Sequence, residues 1–143
     1  MIDAIRVKRL RDGARLPFRA TSGATGYDLY ACLDGDLVVG QEPVRVPTGV
    51  AIEAPEGYDV QIRPRSGLSA QGVMATLGTI DADYRGELLV TMYVLAYRHP
   101  HTVRDGDRIA QLVISRVADV SLEEAGELAS TERGAGGHGS TGR

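Results

Sequence analysis

The chain has 143 residues, of which 43% are hydrophobic and 24% are charged, and its formal net charge at pH 7 is -3. This composition is typical of one globular domain and excludes a disordered or fibrous chain. The negative charge argues against general nucleic-acid binding, and the single cysteine, Cys32, excludes an intramolecular disulfide and a cysteine-based zinc site. Because no segment resembles a signal peptide or a membrane span, we expect a cytoplasmic protein without a membrane partner.

Apolar residues alternate with polar ones in several short runs, which is the pattern of half-buried β-strands. The clearest alternation involves Ile5 and Val7, Val44 and Val46, Val50 and Ile52, and Tyr58, Val60 and Ile62. Two later runs, residues 88–96 and 109–117, are denser in apolar residues, so we expect both to be buried on two faces. Many short strands separated by turn residues predict an all-β fold, either a sandwich, a barrel or a jelly roll.

One short helix is predicted over residues 66–72, because Ser66 is a favoured N-cap residue and Gly72 a favoured stop. Residues 121–129 indicate at most one further turn, since little apolar periodicity supports a helix there. From residue 133 onward the chain is mostly Gly, Ser and Thr, which cannot bury apolar surface, so we expect this tail to be mobile. We therefore divide the chain into a β domain, residues 1–132, and a glycine-rich arm, residues 133–143.

Two segments in the first half of the chain indicate chemistry only weakly when each is taken alone. Residues 20–29 place small residues and glycines before Tyr27 and Asp28, which is also the pattern of a simple turn before a strand. Residues 63–68 place arginine and serine at a predicted helix N-terminus, whose free N–H groups attract anions. An ordinary capped helix with a solvated arginine explains this second segment equally well.

The third segment, residues 78–87, places Asp81, Asp83 and Tyr84 between glycines, directly before an apolar run. A strand does not need this acidic entry for its own stability, so the pattern favours a β-hairpin that lowers a carboxylate and a ring into a pocket. On a strand the two aspartates would share a face and repel each other. This raises the question of which positively charged group would compensate the two carboxylates. Ordinary turn chemistry is the alternative interpretation.

The fourth segment, residues 106–113, contains Gln111 inside an apolar strand. A buried amide needs hydrogen-bond partners, so Gln111 either satisfies backbone groups or faces a ligand. The fifth segment, residues 133–142, has the glycine spacing of a Walker A loop, but Ser140 stands where that motif needs lysine and no βαβ unit surrounds it. A donor-rich arm and a disordered tail remain as interpretations.

In this order, the five segments resemble the five motifs of the trimeric deoxyuridine triphosphatase (dUTPase) family. The resemblance covers the chain from about residue 20 to its end, and the segments around Asp81 and Arg133 are its most specific parts. It implies a jelly-roll (β-clip) homotrimer in which each active site collects motifs from different subunits. It also implies hydrolysis of dUTP to dUMP and pyrophosphate with Mg²⁺, which the triphosphate and water hold without direct protein ligands.

The resemblance also implies roles for individual residues. Asp81 corresponds to the general base that deprotonates the attacking water, and Tyr84 to the ring that packs beneath the deoxyribose and leaves no room for a 2′-hydroxyl. Asp28 corresponds to a supporting residue rather than a catalytic one. The residues that correspond to contacts with the triphosphate or to the closing arm are Arg65, Ser66, Gly67, Gln111, Arg133, His138, Gly139 and Ser140.

The sequence departs from the family pattern at two positions. Ala75 stands where many bacterial members have asparagine, so we expect uracil to be read by the backbone of a strand edge that includes Ala75, Thr79 and Ile80. His138 stands where phenylalanine is usual, and because its ring is ionisable we expect arm closure to depend on pH.

Other interpretations concern the histidines and the reaction. His99 and His101 flank Pro100 in a predicted loop and lack the partners of a zinc site, so we interpret both as solvated. A dCTP deaminase, alone or combined with dUTPase activity, is the nearest alternative enzyme, but it would not need the arm. A catalytically silent dUTP-binding sensor is the alternative from another class.

Overall fold

The computed structural model describes residues 4–142, which form eleven β-strands and one short α-helix. The mostly β class is therefore confirmed. The elements in chain order are β1 (Arg6–Arg9), β2 (Tyr27–Tyr30), β3 (Leu37–Val39), β4 (Val44–Pro47), β5 (Val50–Glu53), β6 (Tyr58–Arg63), α1 (Ser66–Ala70), β7 (Val73–Ala75), β8 (Gly78–Ile80), β9 (Leu89–Val94), β10 (His101–Val103) and β11 (Arg108–Arg116).

The strands pair into two larger sheets and two short ribbons, and every pairing is antiparallel. One larger sheet has the order β2-β11-β6-β8, and the other has the order β4-β9-β7. The ribbons join β1 to β5 and β10 to β3. Since β6 pairs with β11 on one side and with β8 on the other, it holds the fourth and third sequence segments in fixed register.

One aliphatic core fills the space between the sheets, and its largest fully buried side chains include Leu29, Leu88, Met92 and Ile109. The two dense apolar runs differ. In β11 the expectation holds for residues 109–113, which include buried residues on both faces, but residues 115–117 are exposed; β9 alternates between buried and partly exposed residues. The expectation that residues 88–96 are buried on two faces is therefore wrong, because the second face of β9 carries the half-buried Thr91 and Tyr93.

The short helix forms at the predicted place, but its N-terminus differs from the prediction. Arg65 occupies the N-cap position in an extended conformation, without a side-chain capping bond, and Ser66 is the first helical residue. Ser66 is thus not the cap, and its hydroxyl does not serve the helix backbone in that way. The helix ends as predicted, with Gly72 at a φ of 78°.

The third segment is not a hairpin, because β8 lies in the sheet with β6 while β9 lies in the sheet with β4 and β7. The chain therefore crosses from one sheet to the other between residues 80 and 89. His101 also differs from its prediction as a loop residue, since it begins β10. Residues 121–129 form no helix, and no helix within residues 4–142 is long and apolar enough to cross a membrane.

We expect Gly49→Ala to destabilise the fold through both backbone strain and overpacking. Gly49 has a φ of 71°, and a Cβ there would lie 2.8 Å from the Ala14 Cβ and 2.9 Å from the Cys32 Sγ. The expected loss in the free energy of unfolding is about 2–4 kcal/mol, measured by urea denaturation. Gly57→Ala is the matched control, because Gly57 has a φ of 82° but open space around it. Equal losses in the two variants would contradict the packing argument.

Candidate active site

The first candidate cleft, here called the Gln111 cleft, brings together the first, second and fourth sequence segments. Its volume is about 260 Å³, and it is lined by Ala20, Ala24, Thr25, Gly26, Asp28, Arg65, Ser66, Gly67 and Gln111. Strands β2, β6 and β11 are neighbours in one sheet, so the segments at their ends meet. The cleft therefore combines a guanidinium, a hydroxyl and an amide, all of which can donate hydrogen bonds to an oxyanion.

A charge network orients Arg65 at this cleft. The Asp28 carboxylate, which is only 17% exposed, has one oxygen 3.6 Å from the Arg65 Nε and the other 3.8 Å from the Arg108 Nη1. The Arg65 Nη1 also donates a hydrogen bond to the Arg108 carbonyl at 3.2 Å. The Asp28 carboxylate is thus shared by two guanidinium groups and orients that of Arg65 at the cleft.

The sequence left open whether Gln111 satisfies a backbone group or faces a ligand, and its position in the structure is compatible with both. Its Nε2 donates a hydrogen bond to the Pro64 carbonyl at 3.0 Å, which satisfies a backbone group, while the side chain also lines the cleft. An amide nitrogen carries two hydrogens, so one remains for a ligand. Gly26 permits this placement, because a Cβ at that position would overlap the Gln111 Oε1.

The second candidate cleft, here called the Asp81 cleft, contains the third segment. Its volume is about 240 Å³, and it is lined by Ile62, Gly78, Thr79, Ile80, Asp81, Tyr84, Glu87, Leu88 and Leu89. Strand β8 ends at Ile80, and a tight turn follows in which the Tyr84 N–H donates to the Asp81 carbonyl at 3.0 Å. This turn places an exposed carboxylate and an aromatic ring in one cleft.

The two aspartates of the third segment face different surroundings. Asp81 lines the Asp81 cleft, whereas Asp83 lines a separate cleft beside Arg6, Glu53 and Arg85. The expectation that they share a strand face is wrong, because both lie in the turn rather than on a strand.

Tyr84 is held by its hydroxyl at the mouth of the Asp81 cleft. The hydroxyl donates a hydrogen bond to the Glu87 carbonyl at 2.8 Å, and the residue as a whole remains 41% exposed. Gly86 makes room for this bond, because any Cβ there would collide with the Tyr84 hydroxyl. The ring is thus fixed in place while its surface stays available to a ligand.

Strand β8 is an edge strand of its sheet, so one side of its backbone is not used by β6. Thr79 is exposed and Ile80 half-buried on this strand, directly before Asp81. Ala75 lies elsewhere, at the end of β7 opposite Met92, with its side chain buried in the core. Among the described strands, the outer backbone edge at Thr79 and Ile80 has no partner strand, whereas Ala75 lies on β7 in the other sheet and does not belong to this edge.

The arm residues form a chain of local turns. The Arg133 Nε donates to the Gly136 carbonyl at 2.7 Å, and the Ser140 and Gly142 N–H groups donate to carbonyls three residues earlier. His138 adopts a φ of 51°, followed by Gly139 at 87°. Arg133, His138, Gly139 and Ser140 are exposed, and the bonds that hold them are local. The single chain therefore does not bring the arm residues into either cleft.

Within residues 4–142 no group of three or more His, Cys, Asp or Glu side chains is placed to hold a metal ion. His99 is exposed, as expected, whereas the His101 ring is partly buried with its Nδ1 3.3 Å from the Arg98 Nη2. Burial, followed by the nearby Arg98 charge, lowers the pKa of His101. His101 is thus part of the packing around Arg98 rather than a solvated group.

Sequence reasoning missed three residues that organise the site. Arg108 shares Asp28 with Arg65, Gly26 makes room for Gln111, and Arg85 bonds to the turn that carries Asp81. All three lie inside or beside the five segments. Their roles depend on cross-strand pairing and turn geometry, which periodicity in one sequence does not reveal.

Comparison with known proteins identifies the family, since the dUTPase family model matches residues 12–142. The chain belongs to the dUTPase family. A deoxyuridine 5′-triphosphate nucleotidohydrolase from Hydrogenobaculum sp. (strain Y04AAS1) is 51% identical over 140 residues, which cover 95% of this chain and 96% of that protein.

Solved structures of phage dUTPases share the fold. The dUTPase of Staphylococcus bacteriophage 80alpha with dUpNHpp has a TM-score of 0.83 and 29% identity, and the match covers 99% of this chain and 100% of that one. A variant dUTPase from phage phi11 of S. aureus, whose structure reveals the coordination of a structural Mg(II) ion in that protein, has a TM-score of 0.78 and 26% identity over 87% of this chain and 98% of that one.

We expect the amides of residues 134–139 to exchange with solvent nearly as fast as in an unstructured peptide when no nucleotide is present. Their bonds close only local turns, and the free energy of opening such segments is about zero. The amides of residues 110–113 in β11 are the internal reference, because β11 lies between β2 and β6. Hydrogen exchange followed by mass spectrometry makes the comparison. Strong protection of the arm without nucleotide would contradict the expectation.

Proposed function

We propose that this protein hydrolyses dUTP to dUMP and pyrophosphate in the cytoplasm, which removes dUTP from the nucleotide pool and supplies dUMP for dTMP synthesis. One observation carries the proposal: Asp81 and Tyr84 line one cleft beside a free strand edge. The Gln111 cleft supplies the donors that a triphosphate needs. Membership of the dUTPase family and the 51% identical nucleotidohydrolase support the same reaction.

In this mechanism Asp81 is the general base that orients and deprotonates the attacking water. The exposed Asp81 carboxylate can accept the water's proton as the water oxygen bonds to the α-phosphorus and the bond from that phosphorus to the bridging oxygen breaks, which releases pyrophosphate. Tyr84 packs beneath the deoxyribose and excludes a 2′-hydroxyl by contact. Because a merely apolar pocket rejects an added hydroxyl only about a hundredfold, the fixed ring position matters for selectivity.

The triphosphate would bind to the donors of the Gln111 cleft. Arg65, which Asp28 holds in place, provides charge for the developing pyrophosphate, and Ser66, Gly67 and Gln111 provide hydrogen bonds. The backbone of Thr79 and Ile80 would read uracil at the open edge of β8.

Magnesium would enter with the triphosphate rather than bind to a protein site. The Gln111 cleft is rich in donors, which suit phosphate oxygens and not a cation. The ion supplies charge neutralisation and orientation to the phosphates when it is bound. The residues of this chain then act on the phosphates and on water, without a role as direct ligands.

A complete site would require a homotrimer. The Gln111 cleft and the Asp81 cleft share no lining residue, although one dUTP molecule needs both sets of groups. The segment after β11 also leaves large apolar side chains open to solvent, with Leu122 97% and Leu128 89% exposed. Such exposure favours packing against another copy of the chain.

The arm would then close over a site that neighbouring subunits build. Arg133 is our proposed anchor for the γ-phosphate, and His138 stacks on uracil while Gly139 and Ser140 approach the phosphates. In the local turns of the arm the N–H groups of Gly136, Ser140 and Gly142 donate to carbonyls three residues earlier, so a bound anion would have to replace these carbonyls as the acceptor. The change from phenylalanine to histidine predicts a pH dependence of closure in this protein.

We expect Asp81→Asn to lower kcat for dUTP at least about a thousandfold with little change in binding, because the amide cannot accept the proton. Magnesium-dependent pyrophosphate release from dUTP, dCTP, dTTP and UTP measures the reaction and the base selectivity. Release from dUTP alone, lost in the variant, is the expected result. Deamination of dCTP would indicate the deaminase reaction instead, and tight dUTP binding without turnover in the wild type would indicate a sensor.

Mixing two inactive variants tests whether subunits share each site. Asp81→Asn and Ser66→Ala damage different clefts, so mixed trimers would contain sites with Ser66 from one chain and Asp81 from another. We expect activity to reappear after the two proteins are unfolded and refolded together, but not after each is refolded alone. Failure to recover activity in trimers verified by mass spectrometry would contradict a shared site.

A further inference from the structure

Arg85 makes three contacts around the turn that carries Asp81 and Tyr84. Its Nη1 donates hydrogen bonds to the Ala82 carbonyl at 2.6 Å and to the Tyr84 carbonyl at 3.1 Å. Its Nη2 lies 3.9 Å from the Glu53 Oε1. One guanidinium thus connects both sides of the turn to strand β5.

The turn depends on polar contacts rather than on apolar packing. Residues 81 and 83–85 are exposed, and the turn's own backbone bond joins Tyr84 to Asp81. Downstream, the Tyr84 hydroxyl bonds to the Glu87 carbonyl, and the Glu87 carboxylate pairs with Arg11 at 3.1 Å. Within the turn itself, the Arg85 side chain bonds to the carbonyl groups of Ala82 and Tyr84.

Arg85 lies outside the Asp81 cleft itself. It lines a neighbouring cleft with Arg6, Glu53 and Asp83, so its guanidinium acts on the turn from the side opposite the reacting groups. Hydrogen bonds from a charged donor to a carbonyl are stronger than neutral ones, and the planar fork can serve two acceptors and a carboxylate together. These properties suit a group that holds a turn in one shape.

We propose that Arg85 is a positioning residue that holds the Asp81–Tyr84 turn in its reactive shape and is itself held by Glu53. The proposal rests on the proposed function, because it assigns Asp81 to water activation and Tyr84 to sugar discrimination. Loosening the turn moves both groups at once. It therefore lowers kcat for dUTP and also weakens the rejection of UTP, whereas a loss of general stability would affect neither selectively.

The test compares Arg85→Ala with Arg6→Ala in the full-length protein. Arg6 is the matched control, because it pairs with the other oxygen of Glu53 at 3.6 Å but makes no bond to the turn. For Arg85→Ala we expect kcat to fall about tenfold and the ratio of kcat/KM for dUTP over UTP to fall about tenfold. Arg6→Ala should leave both unchanged, and Arg85→Lys should restore only part of each loss, since an ammonium lacks the fork.

Measuring the melting temperature of Arg85→Ala and the activity of Asp81→Asn distinguishes a positioning role of Arg85 from a purely structural one. A lower melting temperature for Arg85→Ala with an unchanged dUTP/UTP ratio would overturn the proposal, because it would indicate a purely structural role. The same kinetic values for Arg85→Ala and Arg6→Ala would also overturn it. If the wild-type protein releases no pyrophosphate from dUTP, the proposed function fails instead, and if Asp81→Asn keeps full activity, the general-base role of Asp81 fails, whatever Arg85→Ala does.

Discussion

The pairing of β6 with β11 and β8 is the constraint on which the rest of the site depends. Gln111 lies opposite Arg63 in one register, and Thr79 lies opposite Gln61 in the other. The end of β6 leads directly to Arg65 and Ser66. A slip of one residue in either register would turn the affected side chains to the opposite face of the sheet. Strand β6 thus fixes the Gln111 cleft and the open edge of β8 relative to one another.

The two aspartates of the candidate site, Asp28 and Asp81, lie in different charge surroundings. The cationic groups of the Gln111 cleft are oriented by Asp28, a carboxylate that is mostly buried and shared by Arg65 and Arg108. Asp81 is exposed and lies in the other cleft, away from those two guanidinium groups. In the proposed mechanism Asp28 therefore holds cations for phosphate, while Asp81 stays free for water. The two carboxylates have different surroundings because Asp28 lies within β2, whereas Asp81 lies in the turn that follows β8 of the same sheet.

The sequence predicts which residues line the two clefts better than it predicts how strands and turns position them. Strand alternation predicts the β class, and the five segments predict which residues contribute, since Gln111 and Arg65 do line one cleft. Local sequence patterns do not predict the connection between β8 and β9. It resembles a hairpin in sequence, but long-range strand pairing places the two strands in different sheets. Local patterns also fail at the N-cap, which is Arg65 in an extended conformation rather than the expected serine.

The separation of the two clefts explains why a glycine-rich arm can belong to an otherwise well-packed domain. An arm that closed a site within its own chain would be stabilised by permanent docking, and apolar side chains would provide the contacts for such docking. Residues 133–142 instead keep exposed donors and positive φ at several glycines, which suits transient contact with a charged ligand. Ordering such a segment costs conformational entropy, so in the proposed trimer closure would become favourable only when the triphosphate supplies the contacts. Under that proposal the arm makes the completed site conditional on the substrate.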